Sequence, residues 1–174
     1  MLKVKSGGLE HLSLLYKRYS KRLYGFFYRM TLDSGSSEDL VQNVFERIIK
    51  YKHSYAENGH FESWVFHIAR NVHLDHIKKN KRYDFQEDMQ SWEGHLREEQ
   101  NKERDIQKSD ELRNLTIALN ALTTEKRELI EMTRFQKLKY EQVAQLLNIS
   151  ESAVKVRIYR IMKELKKNYI KLDA

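Results

Sequence analysis

The chain has 174 residues, no cysteine, no proline and a formal net charge of +7 with a pI near 9.4. The lack of cysteine excludes disulfides, cysteine nucleophiles and thiolate-bound zinc, and no apolar run approaches the roughly 20 residues that span a bilayer. A basic chain of this kind suits a polyanionic partner, such as nucleic acid or an anionic membrane surface.

Six glycines and no proline in so long a chain point to helices joined by short polar turns, an all-α fold. The N-terminal Met1-Leu2-Lys3-Val4-Lys5-Ser6-Gly7-Gly8 lacks the apolar stretch of a secretory signal, so no membrane insertion and a cytoplasmic location are expected. Charge is unevenly spread. Residues 84–111 hold ten acids and four bases, a net −6, which leaves +13 on the remainder. That segment has few aliphatic residues and no sustained apolar stripe, and it reads as a flexible acidic linker between two small basic domains, 1–83 and 112–174.

In the first domain, Leu12, Tyr16, Tyr19, Leu23, Phe26 and Met30 recur at spacings of three and four, the pattern of one helix face. The turn Asp33-Ser34-Gly35-Ser36 ends that helix, and Ser36 with Asp39 reads as a capping pair for a second, whose apolar positions are Val41, Val44, Phe45 and Ile48. Residues 52–60 are polar and contain Asn58-Gly59, so they form a loop. A third helix is predicted from Phe61 to about Lys81, with Phe61, Trp64, Val65, Ile68 and Val72 on one face and a cationic end, Lys78-Lys79-Asn80-Lys81-Arg82.

The second domain opens with the stripe Leu112, Leu115, Leu119, Leu122. A helix capped by Thr123 or Thr124 runs to about Phe135, and residues 140–147 make a short helix with Val143, Ala144 and Leu147 inward. Asn148-Ile149-Ser150 follows, then a longer helix with Val154, Ile158, Ile161 and Leu165 inward. Short helix, three-residue turn and longer basic helix is the helix-turn-helix pattern. Asn148 can take the left-handed turn conformation, and Ser150 is a good N-cap.

Two constellations suit nucleic acid. Opposite the apolar stripe of the last helix lie Ser152, Val156, Tyr159 and Lys163, flanked by Lys155 and Arg160. A helix in the major groove needs small groups at its start, polar or methyl-contacting groups for base edges, and cations for phosphates. A solvated basic face on a bundle helix is the plain alternative. The second constellation sets Trp64, Phe66, Tyr51 and Tyr55 among Lys52, Arg70, Lys78, Lys79, Lys81 and Arg82, aromatics between cations, as single strands require. Phe61 and Trp64 sit on the apolar stripe and read as core. His73-x-x-His76 has a spacing that can bind metal, but no third ligand is near, and no metal or other cofactor is expected. Phosphate-cradling glycine loops, Gly-x-Ser-x-Gly and His-Glu-x-x-His are all absent, and an enzyme is not expected.

Together these pieces resemble the extracytoplasmic-function group of the sigma-70 family of RNA polymerase sigma factors. Asp39-Leu40-Val41-Gln42-Asn43-Val44-Phe45 is similar to that family's polymerase-binding motif. Residues 61–71 followed by Leu74-Asp75-His76 resemble its promoter-melting and minus-ten segment. Tyr140-Glu141-Gln142-Val143-Ala144 and residues 149–157 resemble its minus-thirty-five helix-turn-helix. The resemblance implies a region 2 bundle and a region 4 helix-turn-helix. It also implies that the chain binds core RNA polymerase, at the β′ clamp and the β flap, together with promoter DNA, and that an anti-sigma factor masks it. Asp39, Gln42, Asn43 and Glu46 would grip the β′ clamp. Lys52, Tyr55, Asn58 and His60 would capture a flipped base, and Asn71, Lys78 and Arg82 would hold the melted strand. Ser150, Ser152, Lys155, Val156, Arg157, Tyr159, Arg160 and Lys163 would read or grip the upstream element. The acidic linker would lie in the RNA-exit path. Asn43 stands where Glu is common, Val156 where Ser is common and Asn148 where Gly is usual, and Leu122-Thr123 lacks the common proline.

Three other readings stay open at this point. They are a dimeric helix-turn-helix regulator, a nucleic-acid hydrolase working through His73 and His76, and a module that binds polymerase without reading DNA.

Overall fold

A computed structural model of the chain describes residues 1–56, 59–83 and 104–172. Among the described residues the regular structure is helical throughout. The first domain comprises α1 (Leu2–Lys5), α2 (Leu12–Thr31), α3 (Ser34–Lys50) and α4 (Phe61–Tyr83), with single 3-10 turns at Leu9–His11 and Lys52–Ser54. The second comprises α5 (Arg104–Asn120), α6 (Thr124–Ile130), a π-helical turn at Glu131–Phe135, α7 (Tyr140–Leu147) and α8 (Glu151–Ile170). Helix α5 thus begins inside the segment that the sequence marks as a linker, and residues 84–103 lie outside the described residues.

The buried face of α2 is Tyr19, Leu23, Phe26, Phe27 and Met30, close to the predicted stripe. The stripe differs at its edge. Tyr16 is half exposed, its ring leaning on Phe45 at 4.9 Å, while Phe27, adjacent to the stripe, is fully buried. Both follow from α2 being packed on more than one side, by α3 and α4 and by the second domain. Leu32 closes α2 in the left-handed region, at φ 57°, and its N–H donates to the Tyr28 carbonyl at 2.8 Å. A branched residue there costs roughly 1–2 kcal/mol, and the chain accepts it because α3 must turn straight back. The capping residue of α3 is Asp33 rather than Ser36. Its carboxylate accepts from the Ser36 N–H, and those hydrogen bonds hold its carboxyl below the usual range. Asp33 takes that role because it is the last extended residue before the helix, the geometry a cap requires.

Helix α3 buries Leu40, Val41, Val44, Phe45 and Ile48 against α2 and α4. Phe26 sits at the centre of the bundle. It is fully buried, with ring centroids 5.1 Å from Phe27, 5.9 Å from Phe66 and 6.3 Å from His73.

In the second domain Thr123 occupies the N-cap position of α6 in extended backbone, but its side chain makes no capping bond. The α6 helix then widens into the π turn, where the Gln136 N–H reaches the Glu131 carbonyl at 2.9 Å. Lys137, at φ 57°, reverses the chain into α7. The Gln142 side chain caps the start of α7 by accepting from the Lys139 N–H at 2.8 Å. Asn148 is left-handed, at φ 53° and ψ 48°, and Ser150 caps α8 by accepting from the Ala153 N–H at 3.1 Å, both as the sequence predicts. Val154, Ile158, Ile161 and Leu165 are the buried face of α8.

The two domains are docked, α6 against α2 and α7 against α4, and their buried apolar residues form one continuous cluster. Truncating the hub at Phe26→Ala removes a ring that meets three others. It is expected to cost about 3–5 kcal/mol of stability, read as a lower urea midpoint in circular dichroism.

Candidate nucleic-acid and polymerase interface

Helix α8 is held by its apolar stripe so that the opposite face stands clear of the protein. Ser152, Lys155, Val156, Arg157, Tyr159, Arg160 and Lys163 are all exposed, Val156 by 48% and Tyr159 by 63%. An exposed valine and tyrosine one turn apart, on a helix whose core face is complete, are free to contact a partner. The cations on this face are only lightly engaged: Lys155 pairs with Glu151 at 2.7 Å in an exposed contact, and Lys163 lies over the Tyr159 ring at 5.4 Å. Exposed pairs of this kind are worth little and are readily exchanged for phosphates. Ser150 is part of the cap, and its hydroxyl lies 2.9 Å from that of Ser152.

On α3, Asp39, Gln42 and Glu46 are exposed and Asn43 is half-buried, all on the face that α2 and α4 leave open. The Asn43 carbonyl accepts from Arg47 Nε at 2.9 Å, and the same guanidinium meets Asp75 of α4 at 2.8 Å. This set is therefore a polar strip of defined geometry, with Asn43 tied into it.

The loop between α3 and α4 is built on Tyr55. Its ring is buried against Phe61 and Trp64, and its hydroxyl donates to the Gly59 carbonyl at 2.7 Å. The structure places Tyr55 beneath the loop, whereas Tyr51 and His60 are on its surface and Lys52 is half-buried. Asn58 lies outside the described residues. From the N-terminal side, Lys5 Nζ donates to the Tyr55 carbonyl at 2.9 Å, and Val4 is fully buried. On α4, Lys78 is exposed and Asn71 half-buried, and the side chain of Arg82 lies outside the described residues. Phe66, grouped by sequence with the stacking aromatics, is fully buried and is core. Its ring packs edge-on to Phe26 and lies under the Arg22 guanidinium at 5.5 Å.

His73 is also core. It packs edge-on to Phe26, and its Nδ1 finds no hydrogen-bond partner among the described residues, whereas His76 Nε2 lies 3.1 Å from the Asn80 amide. Burial, with the charges of His76, Arg127 and Arg70, lowers the His73 pKa to about 4. Among the described residues no three His, Asp or Glu side chains converge as a metal site would require.

One group of residues escapes the sequence reading altogether. Arg22, Arg29 and Arg70 of the first domain meet Gln136, Glu131 and Glu128 of the second. The only signal for it in the sequence is that Glu128 and Glu131, three apart, fall among the apolar Leu129, Ile130 and Met132, where burial is expected.

The pH behaviour of His73 is testable. Its folded pKa lies below the unfolded value, so the neutral ring is favoured in the fold. At pH 7 both states are neutral and nothing is lost. As pH falls through about 6.5 towards 4, the unfolded chain binds the proton first and the fold loses stability, by about 3 kcal/mol at most from this group. His73→Phe is expected to lose less stability than the parent between pH 7 and pH 4.5, measured by urea unfolding at both values.

Both domains match known proteins. Residues 15–83 match the family model of sigma-70 region 2, and residues 112–165 that of sigma-70 region 4. The chain is 29% identical over 166 residues to the ECF RNA polymerase sigma factor SigX of Bacillus subtilis, covering 91% of this chain and 84% of that one. It is 29% identical over 157 residues to SigM of the same organism, covering 89% and 93%. In fold it is similar to CnrH, solved with the cytosolic domain of CnrY, at a TM-score of 0.72 and 20% identity over 99% of this chain and 96% of that one. It is likewise similar to RpoE of Bartonella quintana, solved with the anti-sigma factor NepR, at a TM-score of 0.71 and 21% identity over 93% and 98%. No helix among the described residues is long and apolar enough to cross a membrane. With both domains matched in order and the relatives covered nearly end to end, the chain belongs to the extracytoplasmic-function group of the sigma-70 family, whose members are promoter-specific transcription initiation factors of RNA polymerase and not enzymes.

Proposed function

We propose that the chain directs core RNA polymerase to promoters built of a minus-ten and a minus-thirty-five element, and helps melt the duplex at the first. The observation that carries this reading is the exposed face of α8. A helix-turn-helix whose second helix is fully packed on one side presents Ser152, Val156, Tyr159, Arg160 and Lys163 on the other. In the major groove, Val156 would meet a thymine methyl, Tyr159 a base edge or sugar, and Lys155, Arg157, Arg160 and Lys163 the phosphates.

The polar strip Asp39, Gln42, Asn43 and Glu46 is the surface for the β′ clamp, and the second domain is the one for the β flap. The loop over Tyr55, with Lys52, Asn58 and His60, takes a flipped base. Asn71, Lys78 and Arg82 carry the melted strand beyond it. Flipping a base costs a few kcal/mol, which favours easily unstacked sequences. Tyr55 acts from beneath, setting the loop's shape, and Ser150 acts through the cap that aims α8. RpoE is solved with the anti-sigma factor NepR, which supports such a partner here.

The direct test is run-off transcription with core polymerase and a library of promoter-like duplexes. Transcripts should come from a subset sharing two spaced elements. Absence of both transcript and co-elution with core polymerase would sink the reading and favour a free-standing DNA-binding regulator.

Two variants divide the labour. Changing Asp39 and Glu46 together to Ala should abolish co-elution with core polymerase while leaving the circular dichroism spectrum unchanged. Val156→Ser should keep polymerase binding but shift preference at one base pair of the upstream element by about 1–3 kcal/mol, read as relative transcript yield across the library.

A further inference from the structure

The region 2 match begins at residue 15, and the turns that precede it, α1 and Leu9–His11, lie outside that match. A helix of four residues does not persist in water by itself, because nucleation costs more than a single turn returns. Helix α1 is instead held from two sides. At its end the Gly7 N–H donates to the Val4 carbonyl at 3.2 Å and the Gly8 N–H to the Lys3 carbonyl at 2.9 Å, the paired bonds of a Schellman closure. Gly7 sits at φ 109°, a conformation that residues with a side chain rarely take. On its inner side Val4 is fully buried, and Lys5 Nζ reaches across to the Tyr55 carbonyl at 2.9 Å.

Tyr55 is the residue on which the loop between α3 and α4 is built, and it is fixed at three points. Its ring packs against Phe61 at 6.0 Å and Trp64 at 5.4 Å, its hydroxyl donates to the Gly59 carbonyl at 2.7 Å, and its carbonyl accepts from Lys5. The first two contacts come from the loop and from α4. The third comes from α1, which also packs on the 3-10 turn Lys52–Ser54. A bond from an ammonium to a carbonyl in a half-buried place is stronger than one between neutral groups. It acts on the main chain, so it sets where the loop backbone lies, and with it Lys52 on one side and His60 on the other. A binding group displaced by a fraction of an ångström loses selectivity, so a support of this kind bears on recognition although it stands away from it.

We propose that α1 is a brace for the base-capturing loop, and that Lys5 is a positioning residue which sets base preference at the minus-ten element without touching DNA. The inference rests on the role proposed above for that loop. It assigns part of the promoter selectivity to a segment outside the matched domains. The Schellman closure at Gly7 and Gly8 belongs to the same device, because it holds the turn that carries Val4 and Lys5 to the loop.

The test compares the full wild-type chain with three variants. K5M removes the ammonium and keeps the apolar stem. G7A keeps every charge but strains the closure of α1. K3M removes the charge of the exposed Lys3 from the same turn and serves as the control. Loop order is read without polymerase, by acrylamide quenching of Trp64 in a W92F background, where it is the single tryptophan. Selectivity is read by run-off transcription with core polymerase over promoters randomised in the minus-ten element. K5M and G7A should both raise the quenching of Trp64. Both should also relax the preference at one minus-ten base pair by about threefold to tenfold, the worth of one hydrogen bond, with upstream preference and co-elution with polymerase unchanged. K3M should match wild type. Quenching by K5M equal to wild type overturns the inference, as does a loosened loop with unaltered base preference. An effect of K5M that G7A does not share, or that K3M does share, overturns it too, since Lys5 would then act as a charge on DNA. If the wild type gives no transcript the sigma reading fails, and the brace stands or falls on the quenching alone.

Discussion

The arrangement of this molecule depends on the pairing of Glu131 with Arg29. The carboxylate is almost wholly buried and its partner belongs to the other domain, so the pair forms only where the two halves meet. In water such a pair would be worth little. Inside a seam that includes Phe135 and Gln136, breaking it by removing one partner is costly, because a charge is left without solvent or counter-ion. The π-helical turn at Glu131–Phe135 serves this contact. By inserting one extra residue in the turn it brings Glu131 and Gln136 together, the side chains that hold Arg29 and Arg22.

Once the seam is set, the exposed surfaces fall into order. Helix α2 is spent on the core and on the seam. Helix α3 keeps one polar strip free, and α8 keeps one complete face free. Those faces are exposed because each helix has just enough apolar residues to cover one side. The chain therefore separates its surfaces by chemistry: acids and amides on α3, cations with valine and tyrosine on α8, and an arginine-rich face on α2 and α4 turned inward. In the proposed function the first meets the polymerase and the second the promoter. The third meets the carboxylates of the second domain.

The tight connections use left-handed residues where glycine is commoner. Leu32, Lys137 and Asn148 all sit at positive φ. Asn tolerates that region through its short polar side chain, while Leu32 and Lys137 are strained there. The strain is accepted where the chain must reverse within two or three residues between packed helices, and where proline is absent as a helix stop.

Much was legible in the amino-acid sequence by itself. The stripes of α2, α3, α4 and α8, the bounds of α7, the left-handed Asn148, the Ser150 cap and the two families of motif all depend on residues near one another in the chain. Local periodicity and capping chemistry govern those. What the sequence left ambiguous was decided by neighbours distant in the chain. Asp33 caps α3 instead of Ser36 because the exit angle of α2 leaves Asp33 extended. Phe66, Tyr55 and His73 look like binding groups by type, yet tertiary packing buries each of them, and an aromatic or a histidine carries no local sign of which side will be covered. Above all, the meeting of Arg22, Arg29 and Arg70 with Gln136, Glu131 and Glu128 joins residues between 58 and 114 positions apart. No period or motif encodes such a pairing. Only the folded chain, with two charged faces forced out of water together, could determine it.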